Sequence, residues 1–234
     1  MKQVLFQHGT LALLVPGLLA GTMSIGELLQ HGDTGIGTGA GLDGELIILE
    51  GNAYQINGQG QVRQVSADFT VPFADVHQAA YQDVTTLAQL SQTQTYQRLE
   101  QLVKAPNTFY SVKINGSFQM MHTRAAVKST PPYKTLVATA QQQQEFTAHN
   151  VTGTLLSYYS PQLFHGAAVA GFHSHFLAAD HSMGGHVLDF VLTKGQVQVQ
   201  IFDTFEQHLP IADHDFMQHD FSHDNIGADI TTAE

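Results

Sequence analysis

A chain of 234 residues, 43% of them apolar and 12% charged, can bury a core as one large domain or two small packed ones. Its formal net charge of −11, with only 9 Lys and Arg, argues against nucleic-acid backbones and anionic membranes as partners and leaves an anionic substrate to local positive charge. The absence of cysteine rules out disulfides and thiolate metal sites.

Lys2 ahead of the apolar run Leu11–Ala20 has the outline of a short signal peptide. Pro16-Gly17 breaks the run, no clear Ala-x-Ala site follows, and the run is too short to span a membrane. The expectation is a buried N-terminal helical segment in a cytoplasmic protein. Residues 8–30 read as one or two short helices, with Leu13, Leu14, Leu18 and Leu19 on the apolar face.

The glycine-rich stretch Gly32–Gly44 lacks both the GxGxxG spacing and the Lys-Ser/Thr end of a phosphate-binding loop. It reads as a turn-rich connection whose backbone passes close to something. Glu45–Glu50 and Ala53–Ile56 read as strands around Gly51-Asn52, continuing through Asn57-Gly58 into a meander that ends near Val65.

Tyr96, Leu99, Leu102 and Val103 have helical spacing, stopped by Pro106-Asn107. Phe109–Ile114 and Phe118–Arg124 are expected to pair as a hairpin about Asn115-Gly116, and Pro131-Pro132 marks a break. A helix is expected from Leu136 to about Phe146, then strands over Val151–Tyr159, Ala168–Phe176, His186–Thr193 and Val197–Phe202. The sum is an α/β (α+β) protein, one domain over 1–234 whose two packed lobes are built on mixed or antiparallel sheets. The lobes are placed at about 1–130 and 131–234, meeting near 125–150, with the metal-binding residues on the strand-rich C-terminal lobe.

The most informative stretch is Gly171-Phe-His-Ser-His-Phe-Leu-Ala-Ala-Asp-His-Ser-Met-Gly-Gly-His186. In a strand, His173 and His175 point to one face and can grip a single ion, whereas on a helix they would diverge. Gly184 and Gly185 would let the chain turn sharply and return His186 as a third imidazole. Three imidazoles leave open positions on a metal such as zinc, as a catalytic site requires. His181, between Asp180 and Ser182, reads as a turn residue. His208, His214, His219 and His223 lie among acidic residues without convincing ligand spacing and read as solvated surface.

Four stretches resemble the α-acetolactate decarboxylases. They are Gly35-Ile-Gly-Thr-Gly-Ala-Gly-Leu-Asp-Gly-Glu45 with the strand after it, Thr70–Val76, Val151–Leu155 through Ser160-Pro161, and Gly171–Phe190. Their order and spacing match over nearly the whole chain. The resemblance implies a zinc enzyme, a homodimer, converting (S)-2-acetolactate into (R)-acetoin and carbon dioxide. It places the metal on His173, His175 and His186, and active-site roles on Thr38, Glu45 and Arg124. A second active-site Glu falls on Glu234, the terminal residue. The chain departs from the family pattern at Tyr159, Phe172, Ser174 and His181, which bear on substrate preference and rate rather than on the reaction.

These residue types suit such chemistry. Acetolactate is a β-keto acid, so the electrons left by carbon dioxide pass to the neighbouring ketone as an enediolate, without thiamine or pyridoxal. A metal held by imidazoles acts as the Lewis acid. Arg124 has the planar fork to hold the carboxylate, Glu45 and Glu234 are placed to handle protons, and Thr38 to position groups by hydrogen bonding. A cupin-like metal oxygenase or isomerase is the alternative enzyme, although only Asp180 supplies a carboxylate soon after the HxH pair. A metal-storage or sugar-binding protein is the non-enzymatic alternative.

Overall fold

The computed structural model describes residues 2–233. Strand β1 (Val4–His8), helix α1 (Leu11–Leu14), β2 (Met23–Ser24) and α2 (Ile25–Leu28) open the chain. They are followed by β3 (Thr34–Thr38), β4 (Glu45–Leu49), β5 (Asn52–Ile56), β6 (Val62–Gln64), β7 (Thr70–Val71) and β8 (Phe73–His77). Next come β9 (Gln82–Ser91), α3 (Gln92–Val103), β10 (Tyr110–Ala125), α4 (Leu136–Ala140) and β11 (Gln144–Ser160). The chain continues through β12 (Gly171–Ala178), β13 (Gly184–Ile201), β14 (Thr204–His208), α5 (His214–Gln218) and α6 (Ile226–Ala233).

Two sheets carry the architecture, which is the expected strand-rich mixture of α and β. The first is a seven-stranded mixed sheet in the order β14-β1-β8-β3-β4-β5-β6, in which only β1 and β14 run parallel. The second is antiparallel, β10-β11-β12-β13-β9, and β10 also pairs with β13, so these strands close on themselves as a small barrel. Closure covers the otherwise exposed edge of β10, and the barrel has its own apolar filling, including Val112, Ile114, Phe118, Met121 and Phe190. A separate cluster contains Leu5, Ile36 and Ile47 from the first sheet and Leu156, Tyr158 and Leu177 from the barrel. Each such fully buried side chain contributes about 1.5–3 kcal/mol of transfer free energy.

The sheets exchange strands across the boundary expected near residue 130. The first takes residues 4–77 and then 204–208, while β9, α3 and β10 join the barrel side from before that boundary. The N-terminal segment also differs from expectation, because β1 precedes the helices and each helix is one turn long. Thr10 caps α1, and a reciprocal Ser24–Glu27 capping box starts α2. In α3 the box is Ser91 with Gln94, and Lys104 in the left-handed region ends the helix ahead of Pro106 as the spacing predicts. The helix expected from Leu136 to about Phe146 stops at Ala140, and Gln144 already belongs to β11.

Two further corrections have a common cause in glycine. The stretch Gly32–Gly44 contains β3, buried along its whole length, rather than turns alone. A Cβ on Gly35 would stand 2.2 Å from the Asp75 carbonyl oxygen, and one on Gly37 would stand 2.6 Å from that of Phe73. The glycines therefore admit the backbone of β8, which is the close approach expected there. Asn115-Gly116 is likewise no hairpin turn: β10 runs straight through it, and β13 runs unbroken through Gly195. Gly153, Gly116 and Gly195 are cross-strand partners, forming a glycine row over three strands. Glycine in a strand interior marks close approach or a bend at a barrel corner as readily as it marks a turn.

Asp75 sits near the centre of the first sheet, opposite Gln7 of β1. Neither Asp75 Oδ1 nor Gln7 Oε1 has a hydrogen-bond partner among the described residues, and a proton on the carboxyl would supply the missing donor. Burial pushes Asp75 up to about 8. The folded protein thus keeps a proton that the unfolded chain releases above the ordinary carboxylate range. The contribution of this group to stability falls as pH rises from about 4 to about 8, by at most ~1.4 kcal/mol per pH unit. Asp75→Asn is expected to gain stability relative to wild type across that window in denaturant titrations. A difference that does not change with pH would contradict a neutral Asp75.

Candidate active site

The alternation of β12 puts His173 and His175 on one face of the strand and Ser174 on the other. His186 of β13 is the direct cross-strand partner of His175. The three rings gather with centroids 4.9 to 5.6 Å apart, and one ligand nitrogen from each lies within 4.8 Å of the others. His173 Nε2 and His186 Nδ1 approach to 3.1 Å.

The turn that returns His186 is not made by the glycines. The chain reverses over residues 179–183, with His181 at φ 56° in the turn and against Tyr54, while Gly184 and Gly185 already belong to β13. Gly185, at φ 124°, is needed for another reason: a Cβ there would stand 2.5 Å from the Arg124 carbonyl oxygen. It lets β10 lie close enough for Arg124 to be the cross-strand partner of His186.

Burial fixes the protonation of this cluster. His173 is lowered to about 3, by burial first and by the Arg124 charge second. His186 is held well below the ordinary imidazole range by burial, then by Arg124 and the neighbouring histidines. Both rings are therefore neutral at neutral pH and keep lone pairs for a cation. His175 Nδ1 donates to the Leu46 carbonyl oxygen at 2.6 Å, which directs the lone pair of Nε2 into the cluster. Glu45 Oε2 lies 3.5 Å from that Nε2. A carboxylate oxygen facing an imidazole lone pair is well suited to a bound cation, and three imidazoles match the ligand set of catalytic zinc. The residues present fit a divalent metal. Among the described residues this is the group of His, Asp or Glu side chains close enough to share one ion.

Thr38 and Glu45 are cross-strand partners on β3 and β4, and the Thr38 hydroxyl donates to the Gly44 carbonyl oxygen at 2.7 Å. That bond ties down the connection from which Glu45 emerges. Arg124 is buried at the C-terminal end of β10, where Nη1 donates to Gln143 Oε1 at 3.0 Å and to the Ala233 carbonyl oxygen. All six residues, Thr38, Glu45, Arg124, His173, His175 and His186, line one cavity. Its other walls are mostly apolar, with Leu11 and Leu14 of α1, Phe73 and Leu136, and with Thr139 and Gln143 as the polar exceptions. Glu234 lies outside the described residues, and its neighbour Ala233 lines the cavity.

The sequence reading did not single out Gln143, which holds the arginine, or α1 as a cavity wall. A glutamine inside Gln141–Gln144 has no distinguishing neighbour, and only the α4–β11 junction brings it to Arg124. The tail histidines behave as solvated or locally paired groups. His214 and His223 are exposed, His219 pairs with Asp224 at 2.7 Å, and His208 meets His8 at 2.9 Å.

Comparison with known proteins points to one family. The family model of alpha-acetolactate decarboxylase matches residues 5–223. The alpha-acetolactate decarboxylase of Lactococcus lactis subsp. cremoris is 41% identical over 234 residues, covering 98% of each chain. That of Streptococcus thermophilus is 40% identical over 235 residues, again covering 98% of each. A Staphylococcus aureus crystal structure, described as a protein of unknown function similar to alpha-acetolactate decarboxylase, superposes with a TM-score of 0.95 at 39% identity, covering 99% of this chain and 100% of that one. The alpha-acetolactate decarboxylase of Bacillus subtilis gives a TM-score of 0.93 at 29% identity, covering 99% of both chains. With a family model matched over nearly its whole length and relatives this similar from end to end, the chain belongs to the alpha-acetolactate decarboxylase family.

Proposed function

We propose that the protein decarboxylates (S)-2-acetolactate to (R)-acetoin and carbon dioxide in the cavity between the two sheets, with zinc held by His173, His175 and His186. The observation that carries this reading is the meeting of three imidazoles, one carboxylate and one buried arginine in a single cavity of a chain from this family. When bound, the metal supplies a Lewis acid that draws electron density from the substrate ketone as the carbon–carbon bond breaks.

The chain's own residues divide the remaining work. Arg124, bonded to Gln143 and the Ala233 carbonyl, supplies the cation that holds the substrate carboxylate. Glu45, beside the imidazoles, delivers a proton to one face of the carbon that has lost carbon dioxide, which sets product chirality. Thr38 positions Glu45 through the bond to Gly44. Leu11, Leu14, Phe73 and Leu136 exclude water around the alkyl groups. Glu234 is assigned a second proton-handling role on the family resemblance.

The reading also takes the protein as a cytoplasmic homodimer. No helix among the described residues is long and apolar enough to cross a membrane. Sedimentation as a single-chain particle would contradict the dimer.

Acetoin release from racemic acetolactate tests the central reading. Release should disappear on treatment with a strong chelator and return when zinc is added back. Folded, fully metallated protein that releases no acetoin would overturn it. Oxygen consumption with iron bound would instead favour the oxygenase alternative.

A further inference from the structure

On the face of β12 opposite His173 and His175, a group of hydroxyls lies inside the otherwise apolar barrel. Ser174 Oγ is 2.6 Å from Ser157 Oγ and 2.8 Å from the Tyr96 hydroxyl. Ser157 and Ser174 are cross-strand partners on β11 and β12, and both are buried. Tyr96 reaches in from α3, stacks on Phe172 with centroids 4.3 Å apart, and meets the edge of Phe190 at 5.8 Å. Burial raises the Tyr96 hydroxyl above its ordinary range, so it stays a donor. Phe172 and Ser174, where this strand departs from the family pattern, are both in contact with Tyr96.

The ladder between β12 and β13 is short. It pairs only His175, Phe176 and Leu177 with His186, Gly185 and Gly184. From His173 back to Gly171 the strand is laddered to β11 alone, because β13 continues alongside β10 and β9. His173 thus stands on a one-sided stretch of strand, where backbone pairing constrains twist and register least. Ser174 is the adjacent residue, and its hydroxyl is bound on one side to β11 and on the other to α3.

Hydroxyls taken from water into an apolar interior are unfavourable unless each finds a partner. Here they satisfy one another only while Ser174 points into the barrel. With a side-chain period of two, that orientation sends His173 and His175 to the opposite face.

We propose that Tyr96, Ser157 and Ser174 are positioning residues that fix the pleat of β12 and thereby aim His173 and His175 at the metal. The proposal rests on the reading of the three histidines as a metal centre. Nothing in the cluster touches the cavity, so its effect passes through the ligands.

Tyr96→Phe and Ser174→Ala test it. The first keeps the stacked ring and removes only the oxygen, so it remains informative if the second folds poorly. Zinc affinity of the folded protein, read by competition with a chromophoric chelator, should weaken by about ten-fold or more in each. The double variant should weaken less than the product of the singles, because both changes break one network. The visible absorption of the cobalt-substituted variants should shift in position or intensity as ligand geometry changes. Wild-type zinc affinity and an unchanged cobalt spectrum in both variants, even with a lowered Tm, would overturn the proposal and leave ordinary core packing. A wild-type protein that binds no zinc would overturn the metal reading itself, a separate outcome.

Discussion

Glu45→Gln is expected to lower kcat by about 10²–10⁴-fold, the usual contribution of a positioned acid–base group. The substitution keeps the size and hydrogen-bonding capacity of the side chain but cannot donate a carboxylic proton. Its surroundings make the test sharp. The Glu45 side chain is 12% exposed, its Oε2 is 3.5 Å from His175 Nε2, and Thr38 secures the connection behind it. No other described Asp or Glu lines the cavity. If this group protonates one face of the reacting carbon, the residual acetoin made by the variant should also lose enantiomeric purity, since solvent reaches both faces. Metal content must be measured alongside, because a carboxylate beside the imidazoles also favours a bound cation. Full rate and full chirality with metal retained would remove Glu45 from the proton-transfer role. A slow variant that has lost its metal would assign Glu45 to holding the ion.

The legible parts of this molecule were those with a local rule behind them. The HxH spacing at 173 and 175 announces its geometry because alternation in a strand is a local property. The end of α3 was readable for a similar reason, since a stop signal acts within a turn. Asn115-Gly116 misled because a turn signal reports only that the backbone can bend, whereas the glycines at 153 and 195 across the ladder decide how it does. Strands β8 and β9 were not anticipated at all. Phe73–His77 mixes apolar residues with a buried Asp and His, and Gln82–Ser91 is polar and largely exposed, so neither carries a clean period.

The site divides along the same line. The histidines pair by spacing, whereas Thr38, Glu45 and Arg124 are ordinary residues by local pattern and only the family resemblance singles them out. No local rule tells a catalytic glutamate from a solvent-facing one at the start of a strand. What joins them is ladder pairing within each sheet, Thr38–Glu45 in the first and His175–His186 and Arg124–His186 in the barrel, and the packing of the first sheet on the barrel, where His175 bonds the Leu46 carbonyl. Two of these three pairs share His186, so the arginine and the imidazole cluster are registered to each other by backbone hydrogen bonds. Geometry set by ladders changes less with side-chain motion than geometry set by loops.

That registration gives Arg124→Ala a distinctive expected result: kcat/KM falls by roughly 10²-fold or more while bound metal is unchanged or tighter. The sign of the metal effect follows from electrostatics. The Arg124 charge depresses the proton affinity of both His173 and His186, and a cation that disfavours a proton there also disfavours a metal ion. Removing it relieves that repulsion, so the loss of rate cannot be ascribed to a weakened metal centre. In the proposed reaction the guanidinium meets an anion, from a buried position bordering the cavity where it bonds Gln143 and the Ala233 carbonyl. A substrate carboxylate brought there gains a charge-assisted contact that must persist until the carbon–carbon bond lengthens, and its direction sets which bond breaks. Arg124→Lys separates the two contributions. It keeps the charge and loses the fork, so it should recover part of KM while kcat stays low. Arg124→Ala protein that has lost its metal, or that retains wild-type kcat/KM, would show that the arginine supports the fold or the ligands rather than the substrate.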